Sequence, residues 1–585
     1  MKLSRIGIKN FRRIEYVDLN FNTASFIIGP NNVGKTSVIK AIEALLSLSN
    51  TIKPDDFRVL SDGQREKEIE ICGYFTDIDA TTAKSRGFKG RVIDGQYIYK
   101  KTFDIGSTKA KIWTLQYHYT IKEEFENVSK WKDLIELGFR EDMLTDLFGP
   151  KPSNGKLSSG WEFIIEDAVV WNFESEPEYI ENPGGIASNV ASKLTRLVHI
   201  PSYANVDDIG KADGNKTLLG ECLGILFEDL LSQNELATTI QGQLTELQTV
   251  MSPDNSSSLI SGLCADVNSV IDEVFPGCGI KINPSLQDLN SVLKPRYDVE
   301  MFSNVNTSAE KQGTGLVRTG IFSMLRYHSH LKALGEAKTR PLLVAFEEPE
   351  IYLHPAAANL LRDTIYSLGE TDQIICSTHS PWMIDLSKDW LSLTKLYTDS
   401  NGYTKSFNYG LNDAVKELET EEKELLKMVK TFDDELSRIF FADRCVIVEG
   451  DSEVIAIKNT LKLLDATTRK DILSKTQVIK ARGKAAIIPL VKYLKKLSVP
   501  LYVIHDRDKG VAGAEKFNLP IATAIGNPAC VSMLEECLEE CLGYQAPSSD
   551  KPFKTHSETS KWKEKSEIPE SWKTVFQKAF ECNIE

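Results

Sequence analysis

The 585-residue sequence contains no run of about 18 apolar residues, which excludes a membrane-spanning helix. No CxxC pair occurs among its ten cysteines, so neither a zinc ribbon nor a thioredoxin-type motif is supported. Cys530, Cys537 and Cys541 come nearest to a cluster. Their setting in a helical-looking stretch reads as buried free thiols rather than a metal site. Internal repeats and low-complexity tracts are absent. An excess of positive charge is missing too: 69 Lys and Arg face 83 Asp and Glu, for a net charge of −14. That balance argues against a binder coated all over with nucleic acid, and leaves room for a local basic groove. The first residues, Met1-Lys2-Leu3-Ser4-Arg5, lack the apolar core of a secretory signal, which predicts a cytoplasmic protein.

The length exceeds what one core organises, so two or three domains are expected. Residues 3–8 and 14–21 alternate apolar with polar, as a half-buried hairpin does. Residues 24–28 form a short apolar strand that runs into Gly29-Pro30-Asn31-Asn32-Val33-Gly34-Lys35-Thr36, and a helical pattern follows to about Leu48. Further strands are expected over 67–120 and at 197–200. From 211 to 300 the pattern is mainly helical, which suits an inserted dimerisation element. Strand–helix alternation returns over 341–408. A charged helix over about 412–437 reads equally well as a linker or as a solvated face. From Cys445 a fresh βαβ pattern begins. The resulting division is 1–210, 211–300, 301–410, 411–440 and 441–585.

Gly29-x-x-x-x-Gly34-Lys35-Thr36 is a phosphate-binding loop. Its backbone N–H groups curl around phosphate oxygens, Lys35 reaches the β- and γ-phosphates, and Thr36 ligates Mg²⁺. Asn31, Asn32 and Ser37 belong to the same cradle. Some 300 residues later the apolar run Leu342–Phe346 ends in Glu347-Glu348-Pro349-Glu350. Acids at the C-terminal end of a parallel strand stand beside the ligand crevice. Glu347 is therefore assigned to the Mg²⁺ shell and Glu348 to polarising the attacking water. A following strand delivers His379, read as a sensor of the γ-phosphate. Lys311-Gln312-Gly313-Thr314-Gly315 opens a helix, and Gly313 and Gly315 suit a phosphate contact, made in a dimer to the partner's ATP.

A second constellation lies downstream. The apolar strand Cys445–Val448 is followed by Glu449-Gly450-Asp451-Ser452-Glu453, and the strand Leu501–Ile504 by His505-Asp506-Arg507-Asp508. Two strands of one α/β unit thus present acids at their C-terminal ends. Glu449, Glu453, Asp506 and Asp508 can converge on one edge, where oxygen ligands suit hard divalent cations. Either motif alone is ordinary surface chemistry; their order and spacing carry the reading.

These motifs resemble known families. Ile8-Lys9-Asn10-Phe11-Arg12 resembles the N-terminal strand of RecF/SMC/ABC-type ATPases, in which the arginine, here Arg12, approaches the nucleotide. The 311–316 segment resembles their signature motif loosely. The downstream acids resemble the Toprim fold. A Toprim domain after such an ATPase is the order of the OLD (overcoming lysogenization defect) family. The resemblance implies an α/β chain: an ABC-type ATPase with a helical insertion, then a C-terminal Toprim domain. It further implies ATP and Mg²⁺ or Mn²⁺ as cofactors, two-metal DNA cleavage, homodimers or dimers of dimers, and frequent service in phage defence. Members of the family occur alone, beside helicases and with retron RNA–DNA elements. Glu535 resembles an additional metal-site acid, with Glu536 as its rival. Lys551 resembles a late catalytic lysine, with Lys554 as its rival. Gly483-Lys484 resembles a family turn, and a solvent-facing turn is an even alternative. Two other readings compete: a non-enzymatic ATP-driven clamp, against which four carboxylates without a metal speak, and a primase-like polymerase, which needs basic nucleotide-binding residues beside the acids.

Overall fold

The computed structural model describes residues 1–48, 51–202, 217–233, 299–333 and 341–584, together with isolated positions over 236–246. Positions 86, 108, 153, 158–160, 162–164, 166–169, 184–186, 303–305, 309–310, 312–313, 352, 354, 389 and 433–435 are excepted. Within the 211–300 insertion, Leu218–Gln233 forms a helix; residues 247–298 lie outside the described residues. The chain divides into two units. The first comprises Met1–Phe21, Asn32–Leu197 and Tyr397–Ser406, the second Asn22–Asn31, Val198–Leu396 and Phe407–Glu585.

In the first unit, alternation along Lys2–Phe11 (β1) and Ile14–Asn20 (β2) turns Leu3, Ile6, Ile8, Val17 and Leu19 into the core. The two strands pair antiparallel, with Ile8 opposite Val17. Glu68–Thr76 (β4) takes the other edge of β1. Gln96–Asp104 (β6), Lys111–Ile121 (β7) and Trp171–Glu181 (β8) continue the antiparallel run, with Val92–Ile93 (β5) beside β6. The helix Lys35–Leu46 (α1) buries Val38, Ile39, Ile42 and Leu45. Its close approach depends on Gly73 of β4, where a Cβ would stand 2.5 Å from Leu45 Cδ2. Lys101 of β6 is fully buried, and its ammonium donates to Ala44 O at 3.0 Å and Ser47 O at 2.8 Å. These are carbonyls at the α1 C-terminus, where a cation is favoured by the helix dipole. Burial pulls the Lys101 pKa down to about 8. Thr404–Tyr409 (β15) meets β2 through Thr404 and Ile14.

The second unit is built on parallel strands. Ala24–Ile28 (β3) lies between Leu391–Thr398 (β14) and Gln373–Ser377 (β13), followed by Leu342–Glu347 (β12) and Arg196–Ile200 (β9). Every residue of β3, β12 and β13 is buried, which is why these strands read as unbroken apolar runs rather than alternating ones. The helices Leu218–Gln233 (α2), Thr314–Ala333 (α3) and Pro355–Leu368 (α4) pack in succession. A short hairpin, Glu300–Phe302 (β10) with Asn306–Ser308 (β11), precedes α3. Among the described residues no helix is long and apolar enough to cross a membrane.

The expected single charged helix over 412–437 is instead two helices, Leu411–Lys416 (α5) and Thr420–Phe432 (α6), and a 3-10 turn, Leu436–Phe441. Glu419, Glu421, Glu424 and Lys427 are exposed, as a solvated face requires, while the apolar face is packed. Leu411, Leu418, Leu426 and Val429 recur at helical spacing and join the same core as Ile487, Leu490, Val491 and Leu494. The latter belong to a helix, Lys484–Lys496, of the C-terminal region. Glu417 pairs with Lys496 at 2.6 Å, and Glu422 pairs with Lys492. The C-terminal region holds four parallel strands in the order Thr476–Lys480 (β17), Arg444–Val448 (β16), Leu501–Asp506 (β18), Val531–Leu534 (β19). Around them lie Asp451–Leu463 (α7), the 484–496 helix (α8), Lys551–Thr559 (α9) and Glu570–Phe580 (α10).

Replacing Lys101 with methionine keeps the side-chain length and removes both bonds to the α1 carbonyls. The expected cost is about 1–3 kcal/mol, typical of leaving buried acceptors unpaired. Urea unfolding, with hydrogen exchange over 35–47, measures it; a variant as stable and as protected as the parent overturns this account of α1.

Candidate functional site

The phosphate-loop residues divide between the units. Gly29 and Asn31 fall in the second; Asn32, Gly34, Lys35, Thr36 and Ser37 fall in the first, with Arg12. Positive φ values at Gly29 (148°), Asn32 (61°) and Gly34 (110°) curl the backbone before α1, as a chain wrapping phosphate oxygens must. No side chain caps the helix at Gly34. Lys35 and Ser37 are buried, and Thr36 is exposed. Arg13 Nη1 donates to Asn32 O at 2.5 Å, and Thr404 Oγ1 to Val33 O at 2.8 Å, bracing the loop from both sides. Arg12 pairs with Asp56 at 2.8 Å.

In the second unit, Glu347 is the buried end of β12, with His199 Nε2 at 3.3 Å and Ser202 Oγ at 3.5 Å. Arg318 of α3 donates to the carbonyls of Pro201 and Ser202, holding that turn. Glu348 adopts φ +44° and donates its N–H to Ser377 O at 2.8 Å. Its carboxylate stands 3.3 Å from His379 Nε2. Glu350 accepts from Thr378 Oγ1 at 2.6 Å and from His379 N at 3.2 Å, and burial raises its pKa. His199 and Glu350 were not singled out in the sequence. Glu350 carried a signal, since it shares the acidic run with Glu347; His199 carried none. Gly315 lies in the first turn of α3. Gly313 lies outside the described residues.

The downstream acids meet at the C-terminal edge of β16 and β18, which are neighbours in register. Glu449 leaves β16 and accepts the Asp506 N–H at 2.7 Å through Oε1. Glu453, in the first turn of α7, is 5% exposed and accepts Gly450 N–H at 3.1 Å. Asp506 ends β18. Burial first, and then mutual negative charge, pushes the carboxyls of Glu449, Glu453 and Asp506 up to about 7 each. Asp508 contributes to that repulsion, and its own carboxylate is paired with Lys484 at 2.9 Å. Asp506 Oδ1 is buried and has no hydrogen-bond partner.

Glu535 is exposed, and Glu536 pairs with Lys509 at 3.6 Å. The late acid that bears electrostatically on both Glu453 and Asp506 is Glu539, 1% exposed, with Oε2 lacking a hydrogen-bond partner. Register after β19 hid it: the chain crosses a bend before Leu538–Cys541, so spacing alone does not say which glutamate turns inward. Lys551, at the start of α9, lies 3.8 Å from Glu539, whereas its rival Lys554 pairs with Glu558 at 2.7 Å. The cysteines are half-buried rather than buried. Cys537 begins and Cys541 ends that short turn, and the charge of Asp506 reaches both thiols. Among the described residues no three His, Cys, Asp or Glu side chains are arranged as a closed metal-ligand set. The geometry gives the reason: Glu449 is turned onto an amide and Asp508 onto an ammonium. The donor set fits a hard cation nonetheless, being all oxygen, mutually repelling, and holding two orphaned buried oxygens.

Residues 1–384 match the family model described as AAA ATPase domain, and residues 440–508 the one described as overcoming lysogenization defect protein-like, TOPRIM domain. The chain is 20% identical to the Old nuclease of Escherichia phage P2 over 520 residues, 87% of this chain and 77% of that one. It is 23% identical to the OLD nuclease of Thermus scotoductus over 584 residues, 94% of each. It is also 23% identical to endonuclease GajA of Bacillus cereus strain VD045 over 481 residues, 79% of this chain and 68% of that one. The two matched domains together imply use of a nucleotide and of divalent metal. Residues 1–384 make up most of this sequence, so the chain belongs to the AAA ATPase domain family, and an overcoming lysogenization defect protein-like TOPRIM domain follows over residues 440–508.

Proposed function

We propose that this chain is an ATP-linked, divalent-metal-dependent DNA endonuclease acting in defence against phage. One observation carries the reading: buried, mutually repelling carboxylates gathered at a sheet edge beside Lys551. Such a cluster is costly without a cation. Glu449, Glu453, Asp506 and Glu539 would hold Mg²⁺ or Mn²⁺, with Asp508 delivered from Lys484. The metal ions would polarise a phosphodiester and supply a hydroxide at neutral pH. Lys551, half-exposed at the rim, is placed to offset charge developing on the phosphate. The names of the phage P2, Thermus and Bacillus relatives support the reading.

At the nucleotide site, the 29–37 loop would bind the phosphates, Glu347 would complete the Mg²⁺ shell, and Glu348, paired with His379, would orient water. Gly315 at the start of α3 suits a contact to ATP held by a second copy, so a homodimer, or a dimer of dimers, is the expected assembly. A helicase or a retron element encoded nearby is a further candidate partner.

Three outcomes follow from these assignments. First, folded-state carboxyls near 7 lie above their unfolded values, so the folded state binds extra protons between about pH 4.5 and 7. Stability of the metal-free C-terminal domain should therefore fall as pH rises through that window. Added Mg²⁺ should raise the melting temperature more at pH 8 than at pH 5.5; an equal shift at both would remove the cluster as the cation site. Second, Glu348→Gln should retain ATP binding and lose at least about a hundredfold in hydrolysis rate, the scale of a positioned general base. Phosphate release unchanged from wild type would reassign the residue. Third, Asp506→Asn should abolish nicking of plasmid DNA in Mg²⁺ and in Mn²⁺ while nucleotide binding persists. Nicking at the wild-type rate by this variant would place the nuclease elsewhere.

A further inference from the structure

Lys484 is a buried lysine of the C-terminal region whose one part in the reaction proposed above is to pair with Asp508. It is 6% exposed. Its ammonium donates to Asp506 O at 2.6 Å, to Arg507 O at 3.3 Å and to Asp508 Oδ2 at 2.9 Å. All three acceptors belong to one turn, and two of them belong to the acids at the end of β18.

That turn is not self-supporting. Asp508 sits at φ +55°, a conformation that side-chain-bearing residues adopt at a cost unless the surroundings hold them there. The carbonyl of Asp506 and the carboxylate of Asp508 converge on the one ammonium, which brings two electronegative groups together. A buried ammonium between them removes that repulsion and fixes both.

The lysine is itself placed by the neighbouring strand. Gly483 adopts φ +122°, which favours glycine, and its N–H donates to Glu449 O at 3.1 Å. Ala481 N–H donates to Val448 O at 2.8 Å. The 481–484 turn is thus tied to the end of β16, and through Lys484 to the end of β18. One residue joins the two strand ends that carry the acids, and it does so from the first position of α8, whose far side is packed in the core.

We propose that Lys484 is the positioning residue of the metal site: a buried ammonium that sets the spacing between the Glu449 and Asp506 strand ends and presents Asp508 to an arriving cation. This rests on the carboxylates being a metal site, as proposed above, and not on the reaction performed there. A lysine serving only as core filler would be interchangeable with methionine. A lysine that orients ligands would not, since partners behind the ligands are worth about 10–100-fold in metal affinity.

The test is Mn²⁺ binding to the full chain, read by electron paramagnetic resonance, in parallel with plasmid nicking. Lys484→Met should weaken Mn²⁺ binding at least about tenfold, with ATP binding close to wild type and the chain still folded at a lowered melting temperature. Nicking should fall and be partly restored by raising Mn²⁺. If Lys484→Met does not fold, Lys484→Gln replaces it, keeping a neutral donor for the carbonyls and no charge for Asp508. Wild-type Mn²⁺ affinity in a folded variant overturns the proposal while leaving the nuclease reading intact. Mn²⁺ binding that depends on Lys484, in a wild type that cuts no DNA, sustains the proposal and counts against that reading. A wild type that binds no Mn²⁺ overturns both.

Discussion

Like charge held out of water is the constraint on which the C-terminal half of this molecule depends. Glu449, Glu453, Asp506 and Glu539 are each largely buried, and each raises the cost of ionising another. Isolated carboxylates at such spacing would move apart or into solvent. Here they cannot, because their backbones are strand ends and helix starts fixed by a dry core. Val446, Val448, Ile504 and Leu534 lock the strands from beneath, and Trp572 and Phe576 of α10 close the layer. Trp572 Nε1 donates to Thr460 Oγ1 at 2.9 Å, and Asn459 Nδ2 to Thr559 Oγ1 at 2.7 Å. These bonds tie α7, which bears Glu453, to α9, which bears Lys551, and to α10. Packing thus maintains an electrostatic arrangement that would not form by itself, and pre-organisation of that kind is what a metal site requires.

The same device appears twice in the second unit. Glu347 ends β12 as Asp506 ends β18, and in both places a parallel sheet delivers acids to its C-terminal edge. The environments then diverge. Glu347 is met by His199 and Ser202. Glu449 and Asp506 have each other.

Much of this could be read from residue order because the relevant signals are local. Mainly apolar runs at 24–28, 342–346 and 445–448 announce strands buried on both faces, and the acids or glycines that follow them announce sites. The packing of 412–437 is less legible for the opposite reason. Lys and Glu dominate the composition of 412–437, while the burial decision rests on Leu411, Leu418, Leu426 and Val429, which find their partner some 60–80 residues away in α8. Glu539 was missed for a related cause, since a bend between β19 and the next turn breaks the period by which spacing assigns direction. Lys484 could not be resolved at all from sequence. A lysine after glycine reads as surface, and only the return of β18 beside β16 puts three acceptors around its ammonium.

That α8 partnership bears on how the two chemistries relate. The residues following His379 lie against the residues that lead into β16: Ser437 Oγ donates to Pro381 O at 2.9 Å, and Lys395 Nζ to Ala442 O at 3.1 Å. One continuous core runs from Phe346 and Cys376 beneath the nucleotide-side acids, through Leu436 and Phe440, to Cys445 and Ile447 beneath Glu449. A tethered nuclease domain would show a polar, unpacked connection at this point. Close-packed interiors leave little slack, and the β12–β13 edge and the base of β16 share one such interior. Lys484 begins α8, and α8 is the helix on which the connecting segment rests, so the residue that holds the Asp506–Asp508 turn is anchored in the same interior.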